Sequence, residues 1–523
     1  MSVDPGGPVP EQAVPPDAAA GAPVPSVAIV GAGFSGTLLA LHLLRRAPPA
    51  TRVVLVERNT QFGRGPAYST GNSSHLLNVP AGRMSAFHNS PGDFLAWLGS
   101  LPEADLCGIE PGPGTFVPRR MFGRYIRQLV NNELKVPGRR AQLELVRGDV
   151  TNIAVHAGGV SLTLDRDRTI EADRAVLAIG NFPPAPPPVA DPSFYDTDQY
   201  RADPWGPETL EGLDPDAPVL LVGTGLTMVD TVISLLDQEH RGPITALSRR
   251  GLLPHRHAPA PPVAWPEADS IPTRLNQLAR TLRGNAEAAV SAGCGWHGVI
   301  DEIRPVTTDL WQTMSLSDRQ RFLRHLRPWW DVHRHRLAGP VADRIDAVRR
   351  SGQLRIRAGR IRGYERRPDG LVDVCFRPRF GDGTDRVEAL RVINCAGPDA
   401  DYSRIRDPLV RDLLRQGLVR PDPLCLGLDV TAKCALRGRD GAISRRLFAV
   451  GPVTKGAFWE MTAVPDIRQQ AEFLAEQLAS LVRARSGAPA ASPSVSPVAA
   501  PGPAAMPVER PLATADLGSA PAA

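Results

Sequence analysis

The chain has 523 residues, with 60 Lys and Arg against 55 Asp and Glu, and 42% apolar against 22% charged side chains. That balance supports a large buried core and excludes a fibrous or wholly disordered polypeptide. A formal net charge of +5 is small for the length, and the arginines are scattered among acids, so nucleic acid is excluded as a partner. No apolar run approaches the roughly 18 residues of a membrane helix. The first residues lack the basic-then-apolar pattern of a secretory signal, so a cytoplasmic location and no membrane partner are expected. The six cysteines, at positions 107, 294, 375, 395, 425 and 434, form no C-x-x-C pair, which argues against a disulfide framework, a zinc ribbon and a redox-active dithiol.

Residues 1–25 hold seven prolines among Ala, Gly and Val and are expected to be a disordered tail. The segment SVAIVGAGFSG then reads as a buried strand followed by Gly31-x-Gly33-x-x-Gly36 and a helix. Gly31 permits a tight turn, Gly33 lets the backbone approach a pyrophosphate, and Gly36 lets the helix pack on the strand. The helix N-terminus then faces the phosphate charge. The next strand, RVVLVE, ends in Glu57 about 20 residues after the last glycine, where a carboxylate holds ribose hydroxyls. Ser35 inside the turn, Arg58 beside Glu57, and Val150 are assigned to the same dinucleotide site. A further apolar strand, RAVLAIG, ends at Gly180.

A second unit of the same kind, APVLLVGTGLTMVDTVISLL, carries Gly223-x-Gly225 with Thr227 in the opening helical turn, and Met228 where a third small residue would sit. Its following strand ends in Ser248-Arg249-Arg250 instead of an acid. A carboxylate there would repel a 2'-phosphate, whereas a hydroxyl and two guanidiniums bind one through charge-assisted bonds. NADPH is the cofactor expected at this site. His255 and His257, just after it, are open between clamping a phosphate and lying in a plain loop. From about 263 to 350 the strand signal vanishes, and LNQLARTL, LSDRQRFLRHL and VADRIDAVRR show helical spacing. This is a helical insertion, open between the wall of a substrate pocket and structural padding. His333 and His335 within it project about 200° apart on a helix, so no metal site is expected; a packed or substrate-facing cluster with Trp329 and Trp330 is.

The final strand-turn-helix, RRLFAVGPVTKGAFWEMTAVPDIRQQAEFL, places Gly451 at the turn and opens its helix near Pro465. This late unit resembles the two-dinucleotide-binding flavoproteins. HLLNVPAGRMSAF, FVPRRMFGRYI, VGTGLTMVD, ALSRRGLLPHRH, LRPWWDVHRHR and GPVTKGAFWE narrow the likeness to the bacterial FAD/NAD(P)-binding proteins of the YdhS type, over about 26 to 480. The resemblance implies FAD in the first site, with the helix near Pro465 aimed at the flavin N1 and C2 carbonyl. It places Asn78 in a loop near the isoalloxazine, where its amide bonds a flavin edge or the nicotinamide, a turn-forming Asn being the alternative. Where that superfamily commonly has Gly-Asp, this chain has Gly451-Pro452, so ribityl contacts there would be backbone only. Lys455, with Lys135 and Lys433 one of only three lysines, lies between that turn and helix. As a cation it would stabilise an anionic reduced flavin; a solvated loop lysine is the alternative.

The expected fold is α/β, with two Rossmann-like dinucleotide-binding domains, a helical insertion and disordered Pro/Ala-rich tails. The FAD domain is expected at 26–210 and again at 391–485, the NADP domain at 216–390 with its insertion at 263–350, and a second tail at 486–523. The expected function is an FAD- and NADPH-dependent oxidoreductase, a flavin monooxygenase or hydroxylase acting on a small polar molecule. An FAD-dependent dehydrogenase or reductase without oxygenation, and a non-catalytic nucleotide-binding sensor, are the alternatives.

Overall fold

The structure is a computed structural model that describes residues 24–486, apart from 107, 260, 262 and 264–270. The two proline-rich tails expected to be disordered lie outside the described residues except for their inner ends, 24–25 and 486.

All five residues of Ser26–Val30 are buried, as befits a central parallel strand covered on both faces. It pairs in parallel with Arg52–Glu57 on one side and Arg174–Leu177 on the other. Leu143–Arg147 extends the sheet beyond the first of these, and Ile443–Ala449 beyond the second. Ala435–Arg437 closes that edge as an antiparallel strand. One face is covered by helices Phe34–Arg46, Arg119–Lys135 and Val464–Ser486, whose Leu38, Leu41, Phe122, Ile126, Leu474 and Leu478 share one core. The other face packs on helix Pro408–Gln416 and on the antiparallel sheet Val150–Val155, Val160–Leu164 and Thr169–Ala172.

The second sheet runs Asp385–Ala389, Val372–Pro378, Leu354–Arg366, Ile244–Ser248, Val219–Val222, Arg391–Asn394, Tyr200–Arg201. Its central strand Val219–Val222 leads into helix Leu226–Asp237, so the chain contains two Rossmann-like units, as the two strand-glycine-helix segments predict. Three boundaries differ from the sequence reading. Tyr200–Arg201, assigned there to the first FAD segment, lies at the edge of the second sheet beside Arg391–Asn394. Arg391–Asn394, assigned there to the returning FAD segment, pairs with Val219–Val222 and Tyr200–Arg201 in the second sheet. The return to the first sheet therefore comes after 394, because a short apolar strand carries no mark of which sheet it will join. Helix Gly339–Arg350, assigned to the insertion, packs Val341, Ala342 and Ile345 against Met228, Val229 and Val232. It is the crossover that covers the second sheet.

The insertion proper comprises helices Leu275–Ser291, His297–Ile303, Thr307–Thr313, Leu316–Arg321 and Arg327–Arg334. Among the described residues no helix is long and apolar enough to cross a membrane.

Candidate active site

The three glycines of the first turn meet three different constraints. Gly31 has φ +102°, and a Cβ there would stand 2.4 Å from the Ala178 carbonyl oxygen. A Cβ on Gly36 would come within 1.9 Å of the Gly31 carbonyl oxygen, so helix and strand touch at that point. Gly33, the N-cap of helix Phe34–Arg46, would meet only Gly65 Cα at 3.7 Å. Nothing in the protein requires glycine at 33; the open cradle it leaves at a helix N-terminus fits the pyrophosphate of a dinucleotide.

Glu57 is buried, and its carboxylate accepts the Ala32 N–H at 2.8 Å through one oxygen and the Asn59 backbone and side-chain N–H groups through the other. It thus braces the glycine loop, with one lone pair remaining, on the oxygen that accepts Ala32, for a ribose hydroxyl. Arg58 is engaged by Asp407 at 2.9 Å and Asp149 at 3.2 Å. The Val150 side chain is buried in the core, which leaves only its backbone available to a cofactor. Gly180 has φ +69° and open space on its Cβ side.

Ser35 links the first turn to the late one. Gly451 has φ +82° and donates its N–H to buried Gln470 Oε1 at 2.7 Å; a Cβ on it would collide with Ser35. The loop that follows, up to helix Val464–Ser486, is where the insertion docks. Trp311 Nε1 donates to the Gly456 carbonyl at 2.8 Å, Gln312 to the Ala457 carbonyl, and Trp330 Nε1 to Glu460 Oε1 at 2.9 Å. Arg334 lies 3.2 Å from the other Glu460 oxygen, and Arg304 pairs with Asp466 at the start of the helix. Burial would raise the Glu460 carboxyl, but Arg334, His335 and the Trp330 indole outweigh it and hold the group below its ordinary value. Lys455 is half-buried with its ammonium 4.9 Å from the centre of the Trp459 ring. Burial, with Arg327 beside it, brings this lysine down to about 8. Asn78 is half-buried, and its carbonyl accepts from His257 Nε2 at 3.0 Å.

At the second turn Gly223 has φ +114°, and a Cβ would stand 2.5 Å from the Cys395 carbonyl oxygen, whereas Gly225 faces open space at the N-cap of helix Leu226–Asp237. Thr227 lies in the first turn of that helix. The strand Ile244–Ser248 delivers Ser248, whose hydroxyl bonds Thr224 Oγ1 and accepts the Gly251 N–H. It therefore shapes the turn and is less free for a ligand than the sequence suggests. Arg249 lies among Arg250, Arg327 and Arg360; desolvation and the repulsion of these guanidiniums lower its pKa. No carboxylate pairs with Arg249, Arg250 or Arg360 among the described residues, and guanidiniums so placed have the charge and donors that suit an anion.

Several of these groups escape a reading of the sequence. Arg360 arrives on Leu354–Arg366, which pairs in register with Ile244–Ser248, and Arg327 comes from the insertion. Of the two histidines after the second turn, His255 packs against Trp296 and His333, and His257 is bonded to the Asn78 carbonyl. His333 accordingly sits in an aromatic cluster built with Trp296, while Trp329 and Trp330 line the cavity beside it.

Residues 28–182 match the family model described as FAD-NAD(P)-binding. Over 265 residues the chain is 28% identical to an L-aspartate N-monooxygenase (nitrosuccinate-forming) of Streptomyces davaonensis, a match spanning 43% of this chain and 40% of that protein. Among solved structures, the ornithine N-hydroxylase of Kutzneria sp. 744 superposes with a TM-score of 0.60 at 15% identity, covering 89% of this chain and all of that one. The cadaverine monooxygenase of Erwinia amylovora, solved with FAD bound, superposes with a TM-score of 0.59 at 12% identity, covering 92% and 99%. At these identities the likeness is one of fold.

Proposed function

We propose that this chain is an FAD- and NADPH-dependent monooxygenase that hydroxylates a small polar molecule at nitrogen, and that among two-dinucleotide-binding flavoproteins it stands nearest the YdhS type. The observation that carries the reading is the contrast between its two glycine turns. One is followed by a buried carboxylate, Glu57, and the other by a guanidinium cluster at Arg249, Arg250 and Arg360 with no carboxylate partner among the described residues. The first suits the ribose of FAD and the second the 2'-phosphate of NADPH. FAD, when bound, supplies the redox chemistry, taking a hydride from NADPH and activating dioxygen.

The protein's own groups bind and orient. Gly31, Gly33, Ser35 and Gly36 form the pyrophosphate cradle, and Glu57 holds its loop in shape. Gly180, Gly451 and the backbone at Val150 border the flavin nucleotide, with Arg58 fixed beside it by Asp407. Gly223, Gly225 and Thr227 receive the second pyrophosphate. Lys455 places a positive charge between the late turn and helix Val464–Ser486, and the Asn78 amide would bond a flavin edge or the nicotinamide. The docked insertion keeps water from the loop they border. Nitrogen as the acceptor atom follows the relatives, an aspartate N-monooxygenase and an ornithine N-hydroxylase by name.

The test is NADPH consumption in air by the FAD-loaded protein across a panel of amines and amino acids, with hydroxylamine product measured alongside. Product in step with NADPH supports the reading. NADPH oxidation with no oxygenated product assigns a reductase, and absence of flavin reduction assigns a nucleotide-binding sensor.

A further inference from the structure

The segments HLLNVPAGRMSAF, FVPRRMFGRYI and VGTGLTMVD contribute His75, Arg119 and Asp230, three polar residues that neither nucleotide site uses. The fold brings them together where the two Rossmann-like units meet. Arg119 opens helix Arg119–Lys135 of the first unit, and Asp230 lies one turn into helix Leu226–Asp237 of the second. Their side chains pair at 2.8 Å, only 13% and 8% exposed. Arg119 also donates to the Leu76 carbonyl at 3.1 Å, and its backbone N–H to the His75 carbonyl at 2.9 Å. His75 Nε2 reaches the same helix, 3.0 Å from the Asp230 carbonyl oxygen and 2.9 Å from Ser234 Oγ. Asn72 donates to Asp237 Oδ2 at 2.8 Å, and Leu76 and Phe116 pack on the apolar core of the second unit.

A buried ion pair is a poor fastening. Burial pushes the Asp230 carboxyl up, against the pull of Arg119, and apolar side chains of similar size would hold the two units about as well. What a buried charge adds is register, because a slipped arrangement leaves it without its partner. That register matters at the other end of the same helix. Its N-cap is Gly225, in the turn proposed to receive the NADPH pyrophosphate, so the place of Asp230 against Arg119 sets where the nicotinamide arrives on the first unit. Hydride transfer needs its reacting atoms about 3–3.5 Å apart, and a misplacement of about 1 Å costs on the order of 10²-fold.

We infer that Arg119 and Asp230 are positioning residues that hold the NADPH unit on the FAD unit in the register for hydride transfer. The inference rests on the NADPH-dependent reading of the two nucleotide sites.

The test is anaerobic stopped-flow reduction of the FAD-loaded protein by NADPH, comparing the parent with the double variant Arg119→Met/Asp230→Leu, which removes both charges and keeps the bulk. The limiting rate of flavin reduction should fall at least about tenfold. The NADPH dissociation constant should stay within about twofold, because Gly223, Gly225, Arg249 and Arg250 remain together in one unit. Flavin content and melting temperature should match the parent, while amide hydrogen exchange across 70–77 and 226–237 should quicken. Asp230→Asn gives the same readings should the double variant lose its flavin, and Arg119→Lys, which keeps the pair, should recover most of the rate. An unchanged limiting rate overturns the inference, as does a loss that comes only through weaker NADPH binding or with exchange unchanged. A parent that NADPH does not reduce sinks the NADPH reading and this role with it, whereas a parent reduced no faster than the double variant sinks the role alone.

Discussion

Gly451 and Ser35 share a space that holds only one of two side chains. A Cβ at 451 would lie 2.4 Å from Ser35 Oγ, in a backbone conformation of φ +82° that L side chains rarely adopt. Through this contact the end of strand Ile443–Ala449 meets the first turn of helix Phe34–Arg46, so the late turn and the first nucleotide cradle are one structure. Gly451→Ala is expected to cost about 1–3 kcal/mol in backbone strain, before any displacement of Ser35, and to purify with reduced flavin. Gly363→Ala, where the Cβ meets nothing, is the control and should keep parental flavin content and melting temperature.

Gly33 and Gly36 should fail in different ways. Gly33→Val projects into the open cradle and is expected to give a folded, colourless protein with a near-parental melting temperature. Gly36→Val drives a side chain into the Gly31 carbonyl and should yield little soluble protein. Absorbance of bound flavin together with thermal melting separates the two; normal flavin content in Gly33→Val would move the cofactor elsewhere.

The guanidinium cluster makes a selective prediction. Replacing Arg249 and Arg250 by Ala should remove about 1.5–3 kcal/mol for each charge-assisted bond to the 2'-phosphate, or about one to two decades apiece in NADPH affinity. NADH should be unaffected. Arg360→Ala should act in the same direction. Stopped-flow reduction with both nucleotides reads the difference, and equal losses with NADH would make these arginines structural.

Lys455 carries two expectations. As a cation beside the flavin it should favour the anionic reduced form, so Lys455→Met is expected to lower the midpoint potential by about 20–40 mV, equivalent to about 1–2 kcal/mol for a two-electron couple. Its folded-state value of about 8 lies below the ordinary 10.5. Between those values the unfolded chain binds the extra proton, so stability rises with pH across that window. Lys455→Met should therefore melt higher than the parent at pH 7, with the gap closing by pH 10.5. An unchanged potential would remove the lysine from the flavin's surroundings.

What could be read along the chain was what short stretches decide. The φ of Gly31, Gly223 and Gly451, the helices behind those turns, and the acid at 57 against the arginines at 249 and 250 all follow from spacing within about 20 residues, where local sterics and periodicity act. Strand Arg391–Asn394 and helix Gly339–Arg350 joined the second sheet because apolar surface is buried wherever a partner face is free, and that partner is remote in sequence. The same holds for the candidate site. Arg360 reaches Arg249 through strand register, Trp311 finds the Gly456 carbonyl from 145 residues away, and the cavity needs walls from Leu275 to Trp459. A single chain of letters marks Arg119 and Asp230 as charged; only tertiary packing decided that they would meet, buried, at the junction of the two units.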